Sequence, residues 1–477
     1  MGSLGYPTSP KSPTFSKRTT LAWQTLNQIL PHRDADKDYW WGLTGLQLAL
    51  MVHESGYSLA KQYEALLFHY HWTVPYFGPG PNPEGRPSVW TSLLGPDGSP
   101  VEYSWKWNSA GGSHPAIRYS IEPISHLAGS HADPLNQHAA GEMIHQLADQ
   151  VPGVNLEWNE HFLATLFDHD KSKYAQEAQA GAHYTSTFML AAEFNEKSNM
   201  TFKSYFIPRK LGQDKGLITL PLWKESLAQL QAVNPAREMV YDFLENNSLG
   251  KEMVPILTNT TFPQFRILAV DDVAPEKSRL KLYAQTAATS FASVCEVMTV
   301  GGQVPFTDQQ IEDLRTLVAA VTGTPPDFPE NEYVPRTRNY RPAAQSNFVE
   351  IPELISGYIY YFDVAPSSKR PDVKIYIPTR HIGPDDLSVA QGLVGWLQAH
   401  GRGEYGDNYL NLLEGLAEHR RLDEGKGLQT YIGVMFKKNG DLDITSYLGA
   451  EAFDPARVGG AKKLAGSRRS AVGFADY

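Results

Sequence analysis

Residues 278–284 are SRLKLYA, a stretch in which charged or aromatic side chains alternate with leucine. Alternation with a period of two is typical of a β-strand whose two faces differ. Arg279, Lys281 and Tyr283 share one face, and the leucines share the other. Lysine and arginine are costly in a strand unless they are solvated or paired. The stretch therefore predicts a strand with one buried apolar face and one basic face.

Segments of this kind occur in five adjacent pairs along the chain. The pairs begin at residues 101, 188, 265, 355 and 429, so the pattern recurs every 74 to 90 residues. They are VEYSWKW (101–107) with AIRYSIE (116–122), FMLAAEF (188–194) with TFKSYFI (201–207), FRILAVDD (265–272) with SRLKLYA (278–284), ISGYIYYFDV (355–364) with VKIYIP (373–378), and QTYIGVMF (429–436) with LDITSYL (442–448). Helical patterns fill the intervals, as over residues 385–400. The repeat of helix, hairpin and helix predicts ten strands joined as hairpins.

Ten such strands predict an α+β fold, a ten-stranded antiparallel β-barrel of five αββα repeats surrounded by helices. Closure into a barrel removes the exposed edges of the sheet. Side chains just fill an eight-stranded barrel, so ten strands leave room for a ligand. We expect residues 1–18 to form a disordered arm, residues 19–455 the single barrel domain, and residues 456–477 a basic, flexible tail.

The composition limits the classes of partner. The 477 residues include 42 Lys and Arg against 52 Asp and Glu, a net charge of −10 that disfavours nucleic acid and acidic membranes as partners. Cys295 is the single cysteine, so the chain can form neither a disulfide framework nor a thiolate metal site. The longest apolar stretch is too short to cross a bilayer. We expect a cytoplasmic monomer or homodimer.

Basic and aromatic residues recur together in the predicted strands. Lys203 precedes Tyr205 on one strand face, and Lys374 precedes Tyr376 on another. Solvated charges on the outside of the barrel are the alternative for any one of these residues, but their repetition in several strands favours the lumen. A lumen of Arg, Lys and Tyr suits an anion that carries an apolar or cationic fragment, such as a diphosphate bearing an allyl group.

Other motifs do not fit their usual context. GRGEYG (401–406) matches a dinucleotide pattern but follows a helix rather than a strand, and Gly401 fits better as the cap that ends that helix. Asp271 and Asp272 lack the further aspartate of a magnesium-clamping site. His69 and His71 lie two apart in a helical stretch and cannot face one metal, so we expect them to serve in packing or on the surface.

The ordered set of motifs resembles the fungal indole prenyltransferases, the dimethylallyltryptophan synthase family, whose αββα barrel is called the ABBA or PT fold. The similarity covers most of the chain, through YWW (39–41), VPYFGPGP, VEYSWKWN, IRYSIEP, FKSYFIP, KSRLKLYA, VKIYIP and TSYL. The resemblance implies transfer of a dimethylallyl group from dimethylallyl diphosphate to an indole by electrophilic substitution. It implies neither a metal nor another cofactor.

The resemblance also implies roles for individual residues. Glu102 stands where the family has the glutamate that accepts the indole N–H, although an ordinary carboxylate at the start of a strand is the alternative. The positions that match the family's diphosphate-binding residues are Arg118, Lys203, Arg266, Arg279, Lys281 and Lys374. The positions that match its tyrosine shield around the allyl cation are Tyr205, Tyr283, Tyr376, Tyr431 and Tyr447.

One position of the expected acceptor pocket departs from the family pattern. Met189 stands where the members that use tryptophan carry lysine, so the resemblance favours a tryptophan-containing cyclic dipeptide or a related indole alkaloid as acceptor. Free tryptophan, tyrosine or another phenolic acceptor remain alternatives. A barrel that only binds a small hydrophobic molecule is the alternative from a different class of protein.

Overall fold

The computed structural model of the chain describes residues 18–108, 113–179, 186–208, 219–230, 234–253, 267–336, 357–437 and 440–457. Within these ranges ten antiparallel strands form a closed barrel, in which each strand pairs with its sequence neighbours and β1 pairs with β10. The strands are β1 (Val101–Lys106), β2 (Ala116–Ile121), β3 (Phe188–Phe194), β4 (Thr201–Phe206), β5 (Leu268–Asp271), β6 (Leu280–Thr286), β7 (Tyr358–Val364), β8 (Asp372–Ile377), β9 (Gln429–Phe436) and β10 (Leu442–Gly449). The predicted barrel is confirmed.

Helices surround the barrel. The α-helices of the described part are α1 (Leu21–Ile29), α2 (Ala35–Trp40), α3 (Leu46–Glu54), α4 (Leu59–Phe68), α5 (His138–Gln150), α6 (Glu157–Thr165), α7 (Lys171–Gln179), α8 (Thr219–Ala228), α9 (Pro235–Asn246), α10 (Ser248–Glu252), α11 (Phe291–Met298), α12 (Asp308–Thr322), α13 (Thr379–Ile382), α14 (Asp386–Ala399) and α15 (Gly406–Leu416). Helices α5, α6, α9 and α11 pack on β3, β4, β7 and β8. Over the described residues, no helix is long and apolar enough to cross a membrane.

The two faces of the strands separate into two clusters of packed side chains. Leu282 and Ile375 are fully buried in the large core between the barrel and the helices. Burial of one such side chain contributes about 1.5–3 kcal/mol to folding. Tyr283 and Tyr376, on the opposite faces of the same strands, pack in a separate cluster inside the barrel. The alternation seen in SRLKLYA therefore decides which residues reach the lumen.

Local sequence signals set the ends of the predicted helices. Gly56 ends the helix before α4 with φ of 80°, a left-handed conformation that glycine adopts without strain. The Ser58 hydroxyl then caps α4 by accepting the Lys61 N–H. Gly401 has φ of 67° directly after α14 ends, as its sequence context predicts.

Residues at both limits of the barrel domain contact helix α15 or its end. Arg18 donates to the Asn411 carbonyl at 2.8 Å, and the buried Arg457 side chain donates to the Leu416 carbonyl. The remaining residues of the expected arm and tail, 1–17 and 458–477, lie outside the described residues.

Candidate active site

The barrel lumen holds a cavity of about 250 Å³. The predicted residues that line it are Glu102, Arg118, Met189, Lys203, Tyr205, Arg279, Lys281, Tyr283, Lys374, Tyr376, Tyr431 and Tyr447. Arg266, the remaining predicted residue, lies outside the described residues. One cavity thus brings together all the predicted residues that the structure describes.

Strand register orders the lumen along the barrel axis. Glu102 pairs with Ser120 and Gly449, whereas Lys106 on the same strand face pairs with Thr445. At about 3.3 Å per residue, Glu102 and Lys106 are ~13 Å apart along the strand. We call these two ends of the lumen the Glu102 end and the Lys106 end.

The Lys106 end carries most of the cations, and carboxylates accompany them. Lys203 is 2.6 Å from Glu193, and Lys281 is 2.8 Å from Asp271. The other close ion pairs there are Arg279 with Asp271 at 2.8 Å and with Asp363 at 3.0 Å, and Lys106 with Asp443 at 2.8 Å. The lumen is therefore less basic than the strand cations alone suggest.

These pairs shift the titration of their members. Although burial raises it, the charges of Lys203 and Arg118 lower the pKa of Glu193 to about 2. Burial lowers the pKa of Lys203 to about 8, against the opposing effect of the Glu193 charge. The charge of Lys203 can therefore be lost within about one pH unit above neutrality.

Lys374 and Arg118 contact hydroxyl groups in the middle of the lumen. The Lys374 ammonium donates to the Thr445 hydroxyl at 3.1 Å and to the Tyr447 hydroxyl at 3.3 Å. The Arg118 guanidinium donates to the Ser104 hydroxyl at 2.8 Å. Burial lowers the pKa of Lys374 well below its usual range, because hydroxyls compensate a buried charge less than carboxylates do. An anionic ligand would restore that compensation.

Gly433 makes room for Lys374. It lies on the lumen face of β9, paired with Tyr376 and Thr445 on the two neighbouring strands. A Cβ at this position would lie 2.6 Å from Lys374 Cε and 3.0 Å from the Tyr447 ring. A glycine inside a strand weakens the strand, so its presence here reflects the close approach of another group.

Tyrosine rings cross the lumen between its two ends. Tyr376 is central, with ring centroids 5.1 Å from Tyr447, 6.0 Å from Tyr283, 5.9 Å from Tyr361 and 6.1 Å from Tyr431. The faces of such rings carry negative potential and attract cations. The cluster can therefore surround a short-lived carbocation and exclude water from it.

Glu102 marks the other end of the cavity. The Thr430 hydroxyl donates to the Glu102 carboxylate at 2.6 Å. Burial raises the pKa of Glu102 to about 7, while the Thr430 hydrogen bond and the Arg380 charge act in the opposite direction. A carboxylate poised near neutral pH can accept an N–H or O–H of a substrate.

Several lining residues were not predicted. Lys106 and Ser104 lie on the same strand face as Glu102, so their parity was a usable signal. Tyr361 follows two other tyrosines in YIYYFDV, which obscures the face it occupies. Arg380 donates to the Tyr431 hydroxyl from the short helix α13, where strand parity gives no information.

The described residues contain no group of three or more His, Cys, Asp or Glu placed to hold a metal ion. His69 is fully buried away from the lumen, with a ring nitrogen 2.8 Å from the Thr44 hydroxyl. Its predicted role in packing is confirmed.

The closed ten-stranded barrel with its ring of helices defines a class of fold, the αββα barrels, and comparison with solved structures supports it. A crystal structure of NotF in complex with brevianamide F and DMSPP matches with a TM-score of 0.71 and 21% identity, over 90% of this chain and 98% of that one. At this identity the likeness shows the fold alone.

Sequence comparison then gives the family. The family model for tryptophan dimethylallyltransferase matches residues 36–411. Prenyltransferase anuH of Penicillium roqueforti is 53% identical over 92% of this chain and 94% of its own length. Xanthone prenyltransferase B of Emericella nidulans is 40% identical over 92% of this chain and 93% of its own length. The chain belongs to the tryptophan dimethylallyltransferase family and is an aromatic prenyltransferase, which decides against a barrel that only binds its ligand.

Proposed function

We propose that the protein transfers a dimethylallyl group from dimethylallyl diphosphate to an aromatic acceptor that presents an O–H or N–H to Glu102, without a metal ion. The observation that carries this proposal is the order of groups in one cavity. Cations lie at the Lys106 end, tyrosine rings lie in the middle, and Glu102 lies at the other end.

The cations of the Lys106 end and the middle of the lumen would bind the diphosphate. Two unit charges 4 Å apart interact by about 4 kcal/mol at an effective dielectric of 20. Lys203, Lys281 and Lys374 together can therefore stabilise a departing diphosphate as the C–O bond to the allyl group breaks. This assignment, like those of Arg118 and Arg279, rests on their place in the cavity and on the family pattern.

The tyrosine rings would stabilise the allyl cation that remains. Each desolvated ring face contributes about 0.5–2 kcal/mol to the stabilisation of a cation. Tyr376 and its neighbours Tyr205, Tyr283, Tyr431 and Tyr447 would also keep out the water that quenches such a cation. The aromatic acceptor attacks the cation, and the departed diphosphate takes up the ring proton, which restores the aromaticity of the acceptor.

Glu102 would hold the acceptor. By accepting the O–H or N–H, its carboxylate fixes the ring over the allyl cation and raises the electron density of the ring as the new bond forms. Met189 lies in the same cavity and would contribute an apolar contact to the acceptor.

A hydroxylated aromatic acceptor is our first choice. The relative named a xanthone prenyltransferase is 40% identical, whereas the structure whose name includes the indole compound brevianamide F is 21% identical. An indole, in a tryptophan-containing cyclic dipeptide or a related alkaloid, is the second candidate, because it is what the motif pattern around Glu102 implies. The hydroxylated acceptor would present an O–H to the Glu102 carboxylate, and the indole would present an N–H.

An acceptor panel read by mass spectrometry tests the proposal. The purified protein is given dimethylallyl diphosphate and excess EDTA with a hydroxyxanthone, a tryptophan-containing cyclic dipeptide, or tryptophan. We expect the largest kcat/KM with the hydroxyxanthone. Preference for the cyclic dipeptide would select the indole candidate, and absence of product from every acceptor would contradict the proposed function.

A further inference from the structure

The segment Trp90–Leu94, here called the 90–94 segment, covers the Glu102 end of the lumen. Leu93 and Leu94 line the cavity although they belong to no strand. The Pro100 carbonyl, just before β1, accepts the Glu122 backbone N–H at 2.9 Å. Glu122 in turn lies two residues beyond Ser120, the register partner of Glu102.

Glu122 binds the 90–94 segment through several donors. Its Oε1 accepts the Trp90 indole N–H at 2.6 Å. Its Oε2 accepts the Ser92 hydroxyl at 2.6 Å and the Leu93 backbone N–H at 3.1 Å. The Ser186 hydroxyl, next to β3, also donates to Oε1. The Glu122 side chain is fully buried, so these contacts replace water as its hydrogen-bonding environment.

The chain on the far side of the segment is also held. The Asp97 carboxylate accepts the Phe453 N–H at 2.8 Å, and the Ser99 hydroxyl accepts the Ala452 N–H at 2.9 Å. Glu122 contacts one of the two leucines directly, because its carboxylate accepts the Leu93 backbone N–H. Loss of that contact would release the leucines while the far side remained attached.

We propose that Glu122 is a positioning residue that fixes Leu93 and Leu94 over the Glu102 end and thereby sets the fit of the acceptor. The inference rests on the proposed function, since it takes the aromatic acceptor to occupy that end. The two leucines form an apolar cover for a flat aromatic ring whose polar hydrogen points to Glu102. The cations that would bind the donor lie toward the Lys106 end, among them Lys203 beside Glu193 and Lys281 beside Asp271.

Substitution of Glu122 by glutamine tests the inference, because glutamine has nearly the same shape but carries an NH₂ group. One carboxylate oxygen faces the Trp90 indole N–H and the other faces the Leu93 backbone N–H, and neither of these groups can accept, so the NH₂ of glutamine would face a donor in either orientation. Loss of a charge-assisted hydrogen bond to this segment would release Leu93 and Leu94 from their place over the acceptor. We therefore expect the acceptor KM to rise by about tenfold. The donor KM should change by less than about twofold, and Ser92→Ala should show a smaller rise in the acceptor KM.

Asp272→Asn is the matched control. Asp272 is also a buried carboxylate that accepts a serine hydroxyl, from Ser204 at 3.1 Å, but it lies at the end of β5. The Asp272→Asn substitution should lower the melting temperature of the protein without changing the acceptor KM. Equal changes in both KM values for Glu122→Gln, or an unchanged acceptor KM, would overturn the positioning role.

Hydrogen exchange provides a readout that does not depend on turnover. Amide exchange of residues 90–94, followed by mass spectrometry, should be faster in Glu122→Gln than in the wild type and in Asp272→Asn. Unchanged exchange would overturn the inference even if the enzyme is active. If the wild type prenylates no acceptor, the proposed function fails while this measurement still decides the role of Glu122. Should Glu122→Gln fail to fold, Ser92→Ala is measured in the same way.

Discussion

At the scale of single residues, Glu102 has the most specific environment in the lumen. Its carboxylate is held by Thr430 and lies near the positive charge of Arg380, yet burial raises its pKa to about 7. A carboxylate in this state changes its charge within the pH range of ordinary assays. This property makes its role testable by substitution and by pH.

Glu102→Gln keeps the size of the side chain but removes the charge. We expect kcat to fall by about 100-fold, the lower range for loss of an acid–base group, while the donor still binds because its cations are elsewhere. Steady-state kinetics and calorimetry with a donor analogue measure the two effects. Unchanged kcat would remove Glu102 from the mechanism.

The pH profile of kcat/KM should have two limbs. The pKa of Glu102 is raised to about 7, so its carboxyl group is protonated and neutral at lower pH. Activity should therefore rise as the pH passes through about 7 and the carboxylate forms. The pKa of Lys203 is lowered to about 8, so donor capture weakens as pH rises above it. Glu102→Gln should lose the acid limb and keep the alkaline one. An acid limb that survives in this variant would be inconsistent with the assignment.

Prediction of these residues from sequence depended on strand parity. Parity placed Lys281, Tyr283 and Tyr376 in the lumen because their neighbours on the chain are apolar. The carboxylates that pair with the cations, such as Glu193, come from other strands, and cross-strand partners depend on a register that a single sequence does not specify. Arg380 could not be found, because it follows β8 in a short helix.

At the scale of secondary-structure elements, the Lys374 side chain of β8 packs closely against the lumen face of β9 at Gly433. Gly433→Ala would place a methyl group 2.6 Å from Lys374 Cε. We expect the donor KM to rise by about tenfold, since overpacking of this kind costs about 1–3 kcal/mol. Gly395→Ala in α14 is the matched control, because a Cβ there meets nothing within 4 Å. Equal donor KM values in the two variants would contradict the close-packing argument.

The outer faces of the strands hold the barrel to its helices. Leu282→Ala on β6 removes a fully buried side chain and should lower the free energy of unfolding by about 2–5 kcal/mol. Leu21→Ala is the control, because Leu21 is 64% exposed and its loss should change the free energy of unfolding by less than about 0.5 kcal/mol. Urea unfolding measures both. A small loss for Leu282→Ala would show that the outer face contributes little.

The five hairpins could be predicted because each is a local pattern of about 20 residues. Closure of the barrel through β1 and β10 joins residues more than 300 positions apart, and only the cost of exposed edges pointed to it. The 90–94 segment had no periodic pattern to reveal it. Its position depends on contacts with Glu122, which is distant in sequence and carries no signal of this role.

At the scale of the whole molecule, the net charge of −10 and the cation-rich lumen belong to different surfaces. The barrel encloses Lys203, Lys281 and Lys374 together with tyrosine rings, so a diphosphate would leave in a site shielded from bulk water. Lumen carboxylates such as Asp271 would pair again with these cations after the diphosphate departs. The fold thus supplies both the charge and the shielding that the proposed reaction requires.

The most direct test of the central claim is prenyl transfer measured in the presence of excess EDTA. Wild-type protein, dimethylallyl diphosphate and a hydroxyxanthone are incubated, and the acceptor is analysed by mass spectrometry. We expect an acceptor heavier by one C₅H₈ unit, formed at a rate that EDTA does not change. Loss of the product in EDTA and its return with added Mg²⁺ would contradict the claim that the lumen cations replace a metal.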